Sequence, residues 1–414
     1  MADLSVYQIG VQGVGRYGFE KLVDMANHLK ETDVEVAGVA EKDPERREDA
    51  RKFAESNGLE IETFKDPSEM YREAESKENV MIYDAGGPAK HPSHIHESLK
   101  RGFFHVSERP PSMTREQHLQ EKKLAENHDL MWKVDFIERE SAVVQKALEL
   151  NDGKDIESVK VFRENTSGLK RVLDPVKYSD VKGGDILDQM INDIYVLDLL
   201  DISEKEDFVL ESAESFFMPR GTGSESMMEL NGGKTREIEK AATGRTSAEF
   251  ETSQASVELN SSWIGASREV SSIVEKYDID LVQENYVKIG EQVIRDQRCN
   301  FFIVEGEARL LGDILNGRLY DIDSGEEIEV PDLLHDQLYR FLKKTVLNAS
   351  GEREDEVSDR ETELFIDRLF DVRDQAVENS GSYFDELDRS QELMKKLMVE
   401  DKNIPDPETN RIAG

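Results

Sequence analysis

Residues 10 to 18 read Gly10-Val11-Gln12-Gly13-Val14-Gly15-Arg16-Tyr17-Gly18, a G-x-G-x-x-G run set between the apolar stretch Val6-Tyr7-Gln8-Ile9 and a segment with Phe19, Leu22, Ala26 and Leu29 at helical spacing. A strand-to-helix turn of this kind suits a pyrophosphate. Gly13 permits the tight turn, Gly15 lets the backbone approach the phosphates, and Gly18 allows close helix-to-strand packing, while the helix N-terminus turns free N–H groups toward the anion. Gly10 and Val14 complete the loop. The alternative is a glycine-rich turn of the same kind of fold that binds no dinucleotide. Glu41, 26 residues after Gly15, stands near the place where an acidic residue bonds the adenosine ribose hydroxyls, which favours NAD over NADP. Lys42 and the pair Arg46-Arg47 keep NADP open, since they are placed to receive a 2′-phosphate. His91, His94 and His96 form H-x-x-H-x-H, but spacings of three and two do not bring all three onto one helical face and no cysteine joins them, so no metal site is expected.

The elements around these residues alternate. Val34-Glu35-Val36-Ala37-Gly38-Val39 closes a first βαβ unit, which implies parallel strands. A helix near 44–57 leads to the strand Val80-Met81-Ile82-Tyr83, and a further helical stretch leads to Phe103-Phe104-His105-Val106. Thr114 and Gln117 form a capping box for a helix running toward Asn127, ahead of the strand Met131-Trp132-Lys133-Val134-Asp135-Phe136. Residues 1–135 thus read as a Rossmann dinucleotide-binding domain. Beyond residue 155 the period changes to two, as in Ala255, Val257, Leu259, Ser261 and Trp263, with turn signals at Asn316-Gly317 and Ser324-Gly325. Residues 136–385 therefore form an α+β substrate and oligomerisation domain with a large, mainly antiparallel open sheet, one face of which is covered by helices around 185–201, 332–347 and 360–378. Residues 386–414 are an acidic C-terminal extension, frayed from about Asp401, and Gly351-Glu352-Arg353-Glu354-Asp355-Glu356 is a solvated loop.

A chain of 414 residues supports about two domains of usual size, each with its own core. Its 89 acidic and 53 basic residues give a formal net charge of -36, which repels polyanions and excludes nucleic acid and anionic membrane surfaces as basic-patch partners. With 37% hydrophobic residues recurring along the whole length, the charge lies on a folded surface rather than on a disordered chain. Such an excess of carboxylates suits concentrated salt, where self-repulsion is screened, and points to a halophilic cytoplasm; an ordinary acidic protein is the alternative. Cys299, the single cysteine, lies in the apolar run Cys299-Asn300-Phe301-Phe302-Ile303-Val304 and is expected in the core. No apolar run reaches membrane-spanning length, and Met1-Ala2-Asp3-Leu4 lacks the features of a signal peptide, so a soluble cytoplasmic protein is expected.

The stretch Asp84-Ala85-Gly86-Gly87-Pro88-Ala89-Lys90-His91, followed by Leu99, Gly102 and Ser107-Glu108-Arg109-Pro110, resembles the Gfo/Idh/MocA family (glucose-fructose oxidoreductase and inositol 2-dehydrogenase-like) pattern of strand, proline loop, His, helix, glycine and E-K-P. Phe136-Ile137-Glu138-Arg139, Gly183-Gly184-Asp185-Ile186-Leu187-Asp188, Trp263 and Val304-Glu305-Gly306-Glu307-Ala308 are similar to later segments of that family. The resemblance implies an NAD(P)-dependent oxidoreductase acting on a CH–OH group of a sugar, polyol or sugar acid, with Gly86, Pro88, Glu108 and Arg109 beside the cofactor. It also implies a homo-oligomer, dimer or tetramer, because an open apolar sheet face is covered by a neighbouring subunit.

At the nicotinamide the family places a lysine from E-K-P and an Asp and a His four residues apart on a helix. Here Arg109 stands for the lysine and Asn192 for the histidine, and Asp188 alone matches. Arginine stays charged and asparagine does not titrate, so neither is a base for hydroxyl oxidation. Asp188, Asn192 and Tyr195 share a helix face beside the apolar stripe Leu187, Met190, Ile191 and Ile194. This assigns Asp188 as the base or the group that orients it, Asn192 as a hydrogen-bond donor to a substrate oxygen, and Arg109 as a fork for a carboxylate or phosphate, so that sugar acids and sugar phosphates are favoured. The alternative for Asp188 and Asn192 is a solvated helix face. His91, at the family's histidine position, is another candidate proton carrier because histidines titrate near neutrality, and Lys170 and Lys177 are further candidates. Two other functions compete: a cofactor-binding sensor or regulator without turnover, and an isomerase or lyase that uses bound NAD transiently.

Overall fold

The structure is a computed structural model. It describes residues 4–11, 14–29, 34–128, 130–165, 184–202, 204, 207–217, 243–263, 268–277, 283–289, 292–331, 337–350 and 360–378. Gly13, Lys170, Lys177, Gly183, the loop at 351–356 and the C-terminal extension at 386–414 lie outside these residues. The chain divides into two compact units, residues 1–141 with 332–367, and residues 142–331 with 368–414.

In the first unit, β1 (Leu4–Ile9), β2 (Val34–Ala40), β3 (Glu62–Phe64), β4 (Asn79–Asp84), β5 (Phe104–Ser107) and β6 (Trp132–Val134) form a parallel sheet of order β3-β2-β1-β4-β5-β6. All six residues of β1 are buried, as a central parallel strand covered on both faces requires. The connecting helices are α1 (Val14–His28), α2 (Pro44–Ser56), α3 (Pro67–Ala74), α4 (His91–Lys100) and α5 (Arg115–His128). Aspartates start two of them: the Asp43 carboxylate accepts the N–H groups of Glu45 and Arg46, the Asp66 carboxylate those of Ser68 and Glu69, and a proline follows each cap. The capping box ahead of α5 is present in shifted form. Thr114 Oγ1 accepts the Gln117 N–H at 3.2 Å, while Gln117 Oε1 accepts the N–H of Met113, one residue before the cap, at 3.0 Å. One core joins Leu4, Val6, Val36 and Met81 to Leu22, Val23 and Met25 of α1; on the other side Tyr7, Ile9 and Ile82 pack on Met70 and Tyr71 of α3.

One helix departs from the expectation. Gln337–Ala349, expected over the second sheet, buries Leu338, Tyr339, Leu342 and Val346 in the core formed with α1 of the first unit. Periodicity reported its apolar stripe but carried no information about which sheet that stripe would meet.

The second unit is built on a mainly antiparallel sheet. Its strands are β7 (Ile156–Asn165), β8 (Val209–Phe217), β9 (Thr243–Glu251), β10 (Ser256–Ser262), β11 (Gln283–Ile289), β12 (Gln292–Gly306), β13 (Leu310–Asp313), β14 (Arg318–Asp321) and β15 (Glu327–Ile328), ordered β15-β14-β13-β12-β7-β10-β9-β8, with β11 on β12. β7 and β10 pair in parallel and the remaining pairs are antiparallel. The Asn316-Gly317 and Ser324-Gly325 turns join β13 to β14 and β14 to β15. The helices of this unit include α6 (Ala142–Asn151), α7 (Gly184–Asp188), a 3₁₀ turn at Met190–Ile194, α8 (Tyr195–Leu199) and α9 (Arg268–Tyr277). Val270, Ile273, Val274 and Tyr277 of α9 pack on Phe162, Cys299, Phe301, Ile303, Leu311 and Tyr320. Cys299 is thus core, and this stretch of the sheet face is covered by the chain's own helix. Among the described residues, no helix is long and apolar enough to cross a membrane.

Candidate cofactor and proton-transfer site

The strand order of the first sheet reverses between β1 and β4, and in open α/β sheets ligands bind outside the carboxyl ends of the strands at such a point. The two chain ends are tied there, with Ala85 N–H donating to the Ile9 carbonyl at 2.9 Å and Gly10 N–H to that of Ala40 at 2.8 Å. Gly10 has φ +80, a left-handed conformation that favours glycine. A Cβ on Gly15 would lie 2.7 Å from the Gly10 carbonyl oxygen and 3.1 Å from that of Ala85, so only glycine fits the crossing. Gly18 lies equally close to the Tyr83 ring, which lets α1 pack tightly on β4. Val14 opens α1, whose first N–H groups have no helical acceptor and point a partial positive charge out of the turn. In this cradle the bare backbone at Gly10 and Gly15 and the free N–H groups at the start of α1 are the donor chemistry that suits a pyrophosphate.

Gln8, which spacing alone did not single out, holds the cradle. It is fully buried in β1, and its Nε2 donates to the Gly10 carbonyl at 2.7 Å and to the Gly15 carbonyl at 2.6 Å. The one amide interrupting Val6-Tyr7-Gln8-Ile9 was the available signal. Glu41 is buried at the end of β2, where its carboxylate accepts the N–H groups of Val11 and Asp43, each at 3.1 Å. Arg47 donates to the Glu41 carbonyl, and Arg46 lies 3.7 Å from Asp43, so both arginines have local partners.

A second group of polar residues lies at the carboxyl ends of β4, β5 and β6. Asp84 is fully buried, with Oδ1 accepting the Gly86 N–H at 2.9 Å and Oδ2 lying 2.8 Å from His94 Nδ1. Burial alone would push its carboxyl up, but the charge of His91, then the hydrogen bond and charge of His94 and the charge of His105, hold it below its ordinary value. His91 is fully buried, with Nδ1 2.8 Å from the Pro110 carbonyl oxygen and Nε2 3.1 Å from that of Gly86. It ties the Gly86 loop to the Glu108-Arg109-Pro110 segment, whose Arg109-Pro110 bond is cis. Pro88 opens a single 3₁₀ turn on that loop. Glu108 and Arg109 are half-buried; the Glu108 N–H donates to the Asp84 carbonyl at 2.8 Å, and Arg109 has no ion-pair partner among the described residues. Asp135, at the end of β6, receives the Tyr83 hydroxyl at 2.9 Å. Burial and then the neighbouring Glu108 push its carboxyl well up, against the opposing charge of Arg109 and the Tyr83 hydrogen bond. The three histidines of H-x-x-H-x-H do not converge: His91 faces carbonyl oxygens, His94 faces Asp84, and His96 is half-buried.

In the second unit, Asp188 and Asn192 are buried rather than forming a solvated face. Asp188 Oδ2 accepts the Trp263 indole N–H at 2.9 Å and the Gln189 amide at 3.1 Å. Asn192 sits in the 3₁₀ turn, and its amide nitrogen donates to the Gln189 and Asp188 carbonyls at 2.9 and 3.3 Å, leaving Oδ1 buried without a partner among the described residues. The free group of Asn192 is therefore an acceptor, whereas its sequence position suggested a donor. Tyr195 is fully buried beside Phe302. Asp185 pins this turn to the sheet by accepting from Thr246 and Ser261, at 3.1 and 2.7 Å, and Arg163 bonds Asp193 at 2.8 Å. These ties join residues far apart in sequence, so no motif reported them.

Residues 7–136 match the family model described as oxidoreductase family, NAD-binding Rossmann fold, GFO_IDH_MocA. Residues 7–136 are thus similar to the NAD-binding Rossmann domain of that family. No curated protein matches the chain by sequence. Among solved structures, the chain is similar to UDP-N-acetylglucosamine 3-dehydrogenase GnnA from Acidithiobacillus ferrooxidans, with TM-score 0.60, 14% identity, and 91% of this chain and 98% of that chain covered. It is similar to myo-inositol 2-dehydrogenase from Lactobacillus plantarum, with TM-score 0.58, 13% identity and coverage of 91% and 98%. A point variant of KijD10, a 3-ketoreductase from Actinomadura kijaniata in complex with TDP-benzene and NADP, matches with TM-score 0.59, 16% identity and coverage of 90% and 97%. At these identities the likeness is one of fold, and it spans both units, whereas the family model matches residues 7–136 alone.

Proposed function

We propose that the chain is an NAD-dependent dehydrogenase transferring a hydride between the nicotinamide and a CH–OH group of a sugar, polyol or sugar acid. The observation that carries this reading is the cradle at the switch point, where Gly15 leaves no room for a Cβ and Gln8 locks the turn. Gly10, Val14, Gly15 and Glu41 would hold the pyrophosphate and ribose, and Gly86, Pro88, Glu108 and Arg109 the nicotinamide end. Glu41 favours NAD, because a carboxylate at that position repels a 2′-phosphate. Bound there, the cofactor supplies a two-electron hydride acceptor or donor. The Arg109 guanidinium, without an ion-pair partner among the described residues, suits a carboxylate or phosphate on the substrate. The sugar class draws support from the dehydrogenases and the ketoreductase that share the fold.

A second reading, cofactor binding without net redox turnover, is favoured by one observation: Oδ2 of Asp188 already receives two donors from the protein itself. A cytoplasm rich in salt and a homo-oligomer belong to the proposal as well. The argument for an oligomer from an uncovered sheet face does not apply where α9 lies, so light scattering in molar salt must decide between monomer and dimer or tetramer. The function itself is tested by titrating the protein with NADH and NADPH in molar salt and screening sugars, sugar acids and sugar phosphates for absorbance change. Binding with turnover supports the dehydrogenase, binding without turnover supports the second reading, and no binding overturns both.

A further inference from the structure

Oxidation of a CH–OH group sends the C–H hydrogen with its electron pair to the oxidised nicotinamide, so the carbon becomes a carbonyl and the hydroxyl proton needs an acceptor among this chain's side chains. Arg109 and Asn192 cannot take it. His91 turns both ring nitrogens to carbonyl oxygens, and His105 is fully buried on β5, with burial pushing it down to about 3. His94 is arranged differently. Its Nδ1 lies 2.8 Å from Asp84 Oδ2, the other Asp84 oxygen is fixed by the Gly86 N–H, and its side chain is 16% exposed. Its Nε2 has no hydrogen-bond partner among the described residues.

Location adds to geometry. Asp84 is the last residue of β4, at the switch point, and the His94 Cε1 lies 3.8 Å from where a Gly86 Cβ would stand. Gly86 follows Ala85, whose carbonyl walls the Gly15 crossing. A buried carboxylate that receives one imidazole N–H fixes the tautomer and leaves the other nitrogen basic, which is the arrangement of an oriented general base.

Resting on the dehydrogenase reading above, we propose that His94 is the proton carrier of the cofactor site and that Asp84 is its positioning residue. In the oxidative direction His94 Nε2 takes the hydroxyl proton, Nδ1–H stays on Asp84, and the resulting imidazolium releases its proton to solvent. The groups facing His94 are Asp84 from β4, the Tyr71 hydroxyl of α3, which donates to the His94 carbonyl at 3.2 Å, His105 of β5 through Asp84, and His91, Lys90 and Glu97 along its own chain segment.

The test needs no substrate. On this proposal a proton taken up by His94 lies beside the nicotinamide, where it disfavours the positively charged NAD+ ring but not NADH. Dissociation constants of both nucleotides are measured by calorimetry from about pH 5.5 to about pH 9 in molar KCl for wild type, His94→Gln and Asp84→Asn. In wild type the affinity for NAD+ relative to NADH should rise roughly tenfold with pH, the size that a unit-charge interaction of about 1.4 kcal/mol gives. His94→Gln should abolish the rise, and Asp84→Asn should move its midpoint to lower pH. If both nucleotides bind wild type with a pH-independent ratio, or if His94→Gln keeps the full rise, the proposal fails while the dehydrogenase reading stands. If neither nucleotide binds wild type, that reading fails and takes the proposal with it. Should Asp84→Asn not fold, the partly exposed His94→Gln still decides.

Discussion

Glu121 offers a stability prediction that can be worked through from the structure. It lies in α5, 3% exposed, with the Ser112 hydroxyl donating to one carboxyl oxygen and no partner for the other among the described residues. Burial pushes its carboxyl up to about 8 from 4.5, against the opposing Ser112 hydrogen bond. The folded state therefore holds a proton that the unfolded chain releases. Below about pH 4.5 both states are protonated and the site costs nothing. Between about 4.5 and 8 stability falls by about 1.4 kcal/mol for each pH unit, and above 8 it levels off. At pH 7 the cost is about 3 kcal/mol.

Glu121→Gln keeps the shape and an acceptor for Ser112 but removes the titration. In molar KCl its melting temperature should come close to that of wild type near pH 5 and exceed it by about 10 °C or more near pH 8, at about 2–4 °C per kcal/mol for a unit of this size. Differential scanning calorimetry across that range is the assay. Glu116→Gln, exposed on the same helix, removes the same formal charge and serves as the control. A gain for Glu121→Gln that is the same at both pH values, or no larger than that of Glu116→Gln, would refute the reasoning.

Three further outcomes are expected. Gly15→Ala forces a Cβ to 2.7 Å from the Gly10 carbonyl oxygen, so the turn must shift: NADH affinity should fall at least about tenfold and the melting temperature should drop, and unchanged affinity by calorimetry would remove the crossing from the binding site. Trp263→Phe removes the indole donor to Asp188 and should cost about 1–3 kcal/mol in denaturant unfolding, whereas a neutral substitution would show that Gln189 alone satisfies the carboxylate. With a net charge of -36, the melting temperature should rise from about 0.1 M to about 2 M KCl, and a flat response would argue against adaptation to salt.

The first sheet was legible because its signals are local. The G-x-G-x-x-G turn, the strand-helix alternation and the Thr114 cap each occupy one short window, and the fold sets them in the expected order. The antiparallel character of the second sheet was legible for the same reason, from period two and two glycine turns. Longer-range placement was not. The stripe of Leu338, Leu342 and Val346 fits either sheet until the chain between has chosen its path, and α9 over Phe162 and Phe301 follows a strand that read as though its face were open. Helical spacing also placed Asp188, Asn192 and Tyr195 on one continuous face, but a 3₁₀ turn intervenes and all three are buried.

The chemistry was least legible because it is made of pairs. Asp84 and His94 are ten residues apart across a strand end, a loop and a helix turn, and neither type at that spacing marks a site. Asp188 and Trp263 are seventy-five apart. Reading only the positions where a lysine and a histidine are expected, and finding Arg109 and Asn192, suggests that proton transfer has been lost. What catalysis requires, however, is a titratable nitrogen beside the reacting hydroxyl rather than a residue at a given position. The loop that walls the glycine cradle is tied to Asp84 through the Gly86 N–H, and Asp84 in turn faces His94. A base can therefore be supplied from the cofactor unit even when the second unit offers only a buried carboxylate and an amide.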